Sequence, residues 1–567
     1  MGNTSSSKAN HQEKASGLPP CILSRRGSGR KGYPHAEKTS TPRTKSTPRS
    51  SQFIPDAPGP GHRSDDAATA YEQFLQTFPG ALIDEFHQSV ADDHGEYKLT
   101  WILDTLRRSD YGRLDSTSET YLDYMGGALY PEGLIRVHTE LLGSRVLGNT
   151  HSVSNSSKMS LSYAEEARDA VLSFFDASPD KYTVIFTPNA TGALKLVGES
   201  YPFAEGSSYV LSCDSHNSVH GIREFAARRG ARVGYIPSTR SGGFDAATAR
   251  DLLSQHSDAG PNLFVMTAQS NISNARNPLS TIQFAASLGY HTVLDAAAMA
   301  ATSTISLADC HVDAMAISFY KMFGFPTGVG ALVAKKSFLR QLKRPWFAGG
   351  NVEVVQVPGM IVTRASELHE QFEDGTTNYL TLSAVTEGLR FLSACLPFLP
   401  LRLSCLMHYL TVSLSLSRHD TTDTPVVRIL SAVPSRRLKS VGAQSDVGSL
   451  ISLIFLSPSG EMIPNSFIEH AASCMFISLR TGCLCNPGGA AAMLGLEKDM
   501  ERLYQGVTRA EFERTMGHEL GVVRISLGLA SNFQDVWHFV RFVELISQEK
   551  TRMALWNGWV AESGRSR

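Results

Sequence analysis

Lys321 stands in SFYKMFGFPTGVGAL, residues 318–332, among aromatic and apolar neighbours and ahead of a glycine-rich turn. Most lysines lay the stem on apolar surface and keep the ammonium in water. A lysine held away from water binds its proton less tightly and becomes a nucleophile, as Schiff-base chemistry requires. Other positions decide between these readings. Asp295 closes the apolar run HTVLD, where a buried carboxylate needs a partner. His216, in SCDSHNSVHGIREF, follows another apolar run and offers a flat ring for stacking. TPNATGALKLVG sets Ala190 and Thr191 at a helix start near Asn189, and backbone N–H groups there favour an anion. Ser318 and Tyr320, just before Lys321, are placed to reach the same anion, and Gly324, Gly328 and Gly330 let the chain turn back sharply. Each signal has an ordinary alternative: an exposed lysine, a capping aspartate, a capped helix, a structural histidine. Together, a lysine nucleophile and an acidic partner for a protonated pyridine nitrogen are the signature of pyridoxal phosphate chemistry.

A second reactive stretch is SLRTGCLCNPGG, residues 478–489, with Cys483 and Cys485 spaced C-x-C. No second Cys/His pair follows at metal-finger spacing, so a metal site is a poor reading. Arg480 would favour a thiolate if close, and the glycines would let that thiolate swing. Two small loop residues are the plain alternative.

Apolar runs at 182–187, 208–213, 231–237, 262–268, 291–296, 313–318 and 330–335 read as strands, several separated by amphipathic helices such as DAATARDLLSQH. That alternation predicts an α/β domain with a largely parallel sheet. After about residue 385, VVRILSAV, GSLISLIFL, CMFISLR and GVVRISLG alternate with fewer helices and precede the helix DVWHFVRFVELISQEK, predicting a smaller α+β domain.

The chain of 567 residues, 42% hydrophobic and 19% charged, has length for two or three domains. Its net charge of -1 gives no electrostatic reason to expect nucleic acid. Residues 1–50 nevertheless hold ten Lys/Arg against two glutamates, a net +8, leaving -9 for the rest. Residues 1–65 are rich in Ser, Thr, Pro, Gly and Lys, which predicts disorder. The start MGNTSSSK fits myristoylation at Gly2, with the basic tail as a second membrane signal; a mitochondrial transit peptide is the rival to this cytoplasmic, membrane-associated reading. Eight scattered cysteines suit a reducing compartment. The most apolar stretch, residues 396–417, contains Arg402 and His408 and reads as a buried helix.

The ordered set TPNATGALKLV, SHNSVHGIR, QSNIS, VLDAAA, SFYKMFGFPTGVGAL, FEDGTTN, SLRTGCLCNPGG and VVRISLG resembles the class V aminotransferase group, and within it the desulfurase domain of molybdenum cofactor sulfurases. YLDYMGGALYP and LGNTHS fit the same pattern, so the resemblance covers about residues 119–545. It implies a fold type I pyridoxal phosphate enzyme. The chain then divides into the tail 1–65, a helical segment 66–118, a large cofactor-binding domain 119–385, a small domain 386–550 and a tail 551–567.

Carried over by residue, the resemblance makes Lys321 the cofactor-bearing lysine, Asp295 the partner of the pyridine nitrogen and His216 the stacking ring. Asn271 is implied beside the 3-hydroxyl, and Ala190, Thr191, Ser318 and Tyr320 around the phosphate. Thr376 in FEDGTTN is implied to reach the phosphate of a neighbouring subunit, hence a homodimer. Cys485, five residues after Arg480, is implied as persulfide carrier, with Cys483 as runner-up or resolving thiol. Arg524 is implied to clamp the substrate carboxylate, assisted by Arg480. One departure is Ala298, where desulfurases often place a glutamine. The implied activity converts L-cysteine to alanine and an enzyme persulfide, with molybdenum cofactor as sulfur acceptor. Full-length eukaryotic members usually continue into a cofactor-binding domain, whereas this sequence ends at Arg567, which leaves open a separate cofactor-binding protein or another acceptor. Another pyridoxal phosphate reaction, such as C–S lysis or epimerisation, and a non-catalytic membrane-tethered scaffold are the competing readings.

Overall fold

Seven strands form the main sheet: β1 Tyr182–Thr187, β2 Ser208–Ser212, β3 Arg232–Ile236, β4 Leu263–Thr267, β5 His291–Asp295, β6 Ala314–Ser318 and β7 Gly330–Lys335. They lie in the order β1-β7-β6-β5-β4-β2-β3. Neighbours from β6 through β3 pair in parallel, whereas β7 runs antiparallel to both β6 and β1. The sheet is mainly parallel, as expected, with β7 the one reversed strand. The cause is the short connection 319–329, too short for the crossover that a parallel return needs. The computed structural model describes residues 69–70, 95–257 and 260–563, so the tail 1–65, Gly2 and their expected lipidation or transit role lie outside the described residues.

Both faces of the sheet are covered, which explains the unbroken apolar runs. Along β4, Phe264 and Met266 join one core with Val171 of α1 Asn155–Phe174 and Leu389 of α3 Leu382–Cys395. The alternate residues Leu263 and Val265 join a second core with Leu194 and Val197 of α2 Ala190–Ser200.

The second sheet contains β8 Val427–Ile429, β9 Leu450–Phe455, β10 Arg480–Gly482 and β11 Val522–Ser526 in the antiparallel order β8-β9-β11-β10. The expected strand CMFISLR is divided: Ile477–Ser478 pairs in parallel with Thr120–Tyr121, and only Arg480 onward enters the sheet. Phe476 adopts the left-handed φ of 57° where that run begins. Residues 120–123, expected in the large domain, are thus stitched to C-terminal strands, with Asp123 bridged to Ser526. The boundary expected at 385/386 falls inside α3. Residues 551–563, expected as a tail, continue the helix Glu549–Ser563, whose Trp556 and Trp559 rings lie 5.1 and 5.7 Å from Phe467.

The apolar stretch around 396–417 forms the helix α4 Leu399–Leu416. Its Arg402 is fully buried and donates to Asp104 over 2.7 Å and to Thr100 Oγ1 over 2.7 Å, so the helix carries its charge in a paired state. Asp104 belongs to the helix Trp101–Asp110, within the expected N-terminal helical segment. No single helix among the described residues is long and apolar enough to cross a membrane.

Candidate active site

The carboxyl ends of β2, β4, β5 and β6 converge on one cleft, the position at which open α/β sheets commonly bind ligands. Its wall contains Ala190, Thr191, His216, Asn271, Asp295, Ser318, Tyr320 and Lys321. These residues span 132 positions in the sequence but share one wall because each follows or ends a strand or begins a helix. Ala298 also faces the cleft. A second, narrow pocket shares Lys321, Ala297 and Ala298 and is lined by Tyr124, Met125 and Leu527.

Lys321 is half-buried on a single helical turn whose Phe319, Met322 and Phe323 are buried. Burial pushes its ammonium pKa down, Arg524 and Arg480 add to that effect, and Asp295 opposes it. Gly324 follows with φ 82°, and a Cβ there would overlap the backbone of Leu129 and Tyr130. Its missing side chain lets the N-terminal segment close over the turn.

Asp295 is 7% exposed at the end of β5, its Oδ1 accepting from Ala297 N over 3.1 Å. His216 caps the short helix Asn217–His220: its Nδ1 accepts from Ser218 N over 3.1 Å, which puts the ring proton on Nε2. Burial lowers its pKa, with Lys321 acting in the same sense and Asp295 against it, so the ring is neutral at neutral pH. Asn189 caps α2 by accepting from Gly192 N over 3.0 Å. Ala190 N, expected to face an anion, donates to Ser318 Oγ over 2.8 Å. Ser318 is therefore a bridge that retains its hydroxyl proton for a ligand. Thr191 Oγ1 lies 2.7 Å from Ser218 Oγ, and burial raises the Tyr320 phenol.

The cysteine loop is tied into this cleft. Asn271 Nδ2 donates to Leu484 O over 2.7 Å, Asn217 N donates to Cys485 O over 2.7 Å, and Asn486 Nδ2 donates to Asn271 Oδ1 over 3.1 Å. Asn486 also caps the helix Pro487–Leu494 through Gly489 N and donates to the fully buried Asp214 over 2.7 Å. Leu484 and Cys485 both adopt left-handed φ, 54° and 57°, turning the loop outward. Cys485 is exposed, whereas Cys483 packs with Ile272, Met493 and Val522 and its thiol is pushed up by burial.

Arg480 and Arg524 are direct cross-strand neighbours on β10 and β11. Asp123 joins them: Arg480 donates from Nε and Nη2 to Oδ2 over 2.8 and 2.6 Å, and Arg524 Nη2 donates to Oδ1 over 2.5 Å. Arg480 is thus engaged by the Asp123 carboxylate. Asp123, Asp214 and Asn486 are the residues missed by sequence reasoning. The signal for Asp123 was a carboxylate inside the apolar run YLDYM. Thr376 stands apart from the cleft wall, exposed, accepting from Asn149 Nδ2 over 3.0 Å.

The donor set fits a phosphorylated pyridine aldehyde. Lys321 offers the amine, Asp295 the carboxylate for a cationic ring nitrogen, His216 a neutral ring face, and Ser318 and Thr191 hydroxyls at a helix N-terminus.

The aminotransferase class-V family matches residues 120–398. Molybdenum cofactor sulfurase from Solanum lycopersicum is 33% identical over 481 residues, covering 78% of this chain and 57% of that protein. Its counterpart from Bos taurus is 34% identical over 464 residues, covering 78% of this chain and 51% of that protein. The chain therefore spans little more than half the length of these relatives. The apo cysteine desulfurase from Thermococcus onnurineus NA1 superposes with a TM-score of 0.62 at 21% identity, covering 78% of this chain and 98% of that one, a likeness of fold. Class-V aminotransferases use pyridoxal phosphate. The chain carries an aminotransferase class-V domain and is homologous to the N-terminal region of molybdenum cofactor sulfurases.

Proposed function

We propose that the chain is a pyridoxal phosphate-dependent L-cysteine desulfurase that stores sulfur as a persulfide on Cys485 and releases alanine. The observation that carries this reading is the attachment of the Cys485 loop to the wall that holds Lys321, through Asn271 and Asn217. Pyridoxal phosphate supplies an aldehyde that captures the substrate amine and an electron sink for the bond broken beside it. Lys321, with its ammonium disfavoured by burial, is the base that moves the substrate Cα proton. Asp295 keeps the ring nitrogen protonated, His216 covers a ring face, and Ser318, Tyr320 and Thr191 hold the phosphate. Arg524, assisted by Arg480, orients the substrate carboxylate. The Cys485 thiolate attacks the substrate sulfur, forming an S–S bond as the C–S bond breaks. L-cysteine and one thiol thus become alanine and one persulfide, with atoms balanced.

Kinship with molybdenum cofactor sulfurases supports molybdenum cofactor as the acceptor, on this chain or on a separate cofactor-binding protein. The active form is a homodimer in which the exposed Thr376 reaches the other subunit's phosphate. The test is mass spectrometry of the protein after incubation with pyridoxal phosphate and L-cysteine. The expected result is one added sulfur on the Cys483–Cys485 peptide, lost in Cys485→Ala. Pyruvate, ammonia and sulfide released from L-cysteine, with no added sulfur on that peptide and no alanine, reject the persulfide mechanism in favour of C–S lysis by β-elimination.

A further inference from the structure

Two arginines meant to receive one carboxylate sit directly opposite each other on paired strands, and like charges in that geometry repel. Arg524 is 2% exposed, with Nη1 donating to Asn271 O over 2.9 Å and no hydrogen-bond partner at Nε. A buried guanidinium requires a counterion. Asp123 supplies it, using one oxygen for each arginine. Its backbone is pinned: Ser526 N donates to Leu122 O over 2.7 Å, and Met125 N donates to Ser526 Oγ over 2.9 Å. Gly126 preserves the close approach, since a Cβ there would overlap both Asp123 Oδ2 and Arg480 Nη2.

We propose that Asp123 is a positioning and specificity-determining residue for the substrate carboxylate. It lowers the charge of the arginine pair from +2 to +1, which one carboxylate then neutralises. By holding Arg480 it also fixes the first residue of β10, the strand that leads into the Cys483–Cys485 loop. This assignment rests on the proposed role of Arg524 in carboxylate binding. Two opposed consequences follow from the charge count. Removing the Asp123 charge strengthens the hold on a carboxylate ligand while releasing Arg480 and the loop behind it. Removing the Arg480 charge leaves Asp123 to compete for Arg524 and weakens that hold.

The test uses the pyridoxal phosphate-loaded protein, titrated with L-alanine and with ethylamine while the cofactor's absorbance is followed. Asp123→Asn is expected to bind L-alanine about tenfold more tightly, the scale of one neighbouring, partly screened charge. Arg480→Gln is expected to bind it about tenfold more weakly, and ethylamine, lacking a carboxylate, changes little in either. With L-cysteine, Asp123→Asn lowers KM and kcat together, and Asp123→Glu restores L-alanine binding towards the parent value. If both charge-removing variants weaken L-alanine binding, or if neither changes it, Asp123 is only a structural support. Should Asp123→Asn fail to fold, the half-exposed Arg480→Gln still decides, because unchanged or tighter L-alanine binding there overturns the proposal. If the titrations behave as expected while no persulfide forms, the desulfurase reading fails and the Asp123 assignment stands. If persulfide forms but the opposed shifts are missing, the assignment fails alone.

Discussion

Lys321 has its ammonium pKa lowered first by burial and then by Arg524 and Arg480, so its free amine exists at lower pH than that of an exposed lysine, about 10.4. Cofactor capture requires the free amine, and loading of apo protein is therefore expected to plateau below that pH. Asp295 opposes the depression, so Asp295→Asn should move the plateau to still lower pH. The rate of absorbance rise after adding pyridoxal phosphate, measured against pH, checks both; an upward shift in the variant contradicts the assignment. A second residue-scale contrast separates the cysteines. Burial raises the Cys483 thiol, reinforced by Glu513 and opposed by Arg509, while Cys485 is exposed. Iodoacetamide at neutral pH should modify Cys485 at least about tenfold faster than Cys483, with peptide mapping as the readout; preferential labelling of Cys483 would make it the carrier. Lys321, Asp295 and His216 were legible in sequence because each is a polar residue at the edge of an apolar run. Asp123 was not, because its partners lie 357 and 401 positions away and only the assembled β10–β11 pair brings them together.

The elements differ in how far the chain announced them. Strands buried on both faces are continuous apolar runs, so β1–β7 coincide closely with runs visible in sequence. The direction of β7 was hidden, since it depends on connection length rather than residue type. The cysteine loop shows the same division: Cys-x-Cys is visible, but what anchors it is not. Asn486 caps the following helix and bonds Asp214 and Asn271 at once. Asn486→Ala loses the cap, worth about 1 kcal/mol, and strips buried Asp214 of a donor, for a total near 2–3 kcal/mol. Denaturant unfolding measures that loss. The loop prediction is sharper: persulfide yield should fall several-fold while pyridoxal phosphate binding is retained, because Lys321 and Asp295 stand on other elements. Equal loss of both would mean that the loop and the cofactor wall form one cooperative unit.

At the scale of the molecule, the sequence pattern marked a change of architecture near residue 385 but not how the two parts are joined. Thr120 and Asp123 pair with Ile477 and Ser526, so the N-terminal segment straps across both. The surface around Thr376 carries the remaining organisation. His151 approaches Gly375 O at 3.4 Å, Gly375 N bonds Gly349 O over 2.8 Å, and Arg364 bonds Trp346 O over 2.9 Å, linking three stretches of chain. These stretches and their neighbours expose Val153 at 85%, Trp346 at 53%, Val357 at 85% and Met360 at 94%. Apolar exposure on this scale marks an interaction surface, and in the proposed homodimer a second copy covers it and brings Thr376 to the other subunit's phosphate. Val357→Asp combined with Met360→Asp, both at the tip of the hairpin Val352–Val355/Val362–Arg364, should therefore shift sedimentation from twice the chain mass towards one. The same variant should lose pyridoxal phosphate on dialysis, because the second subunit no longer delivers Thr376, while its folded signal persists. A monomer that retains the cofactor as firmly as the parent would separate dimerisation from phosphate binding and return Thr376 to a local role with Asn149.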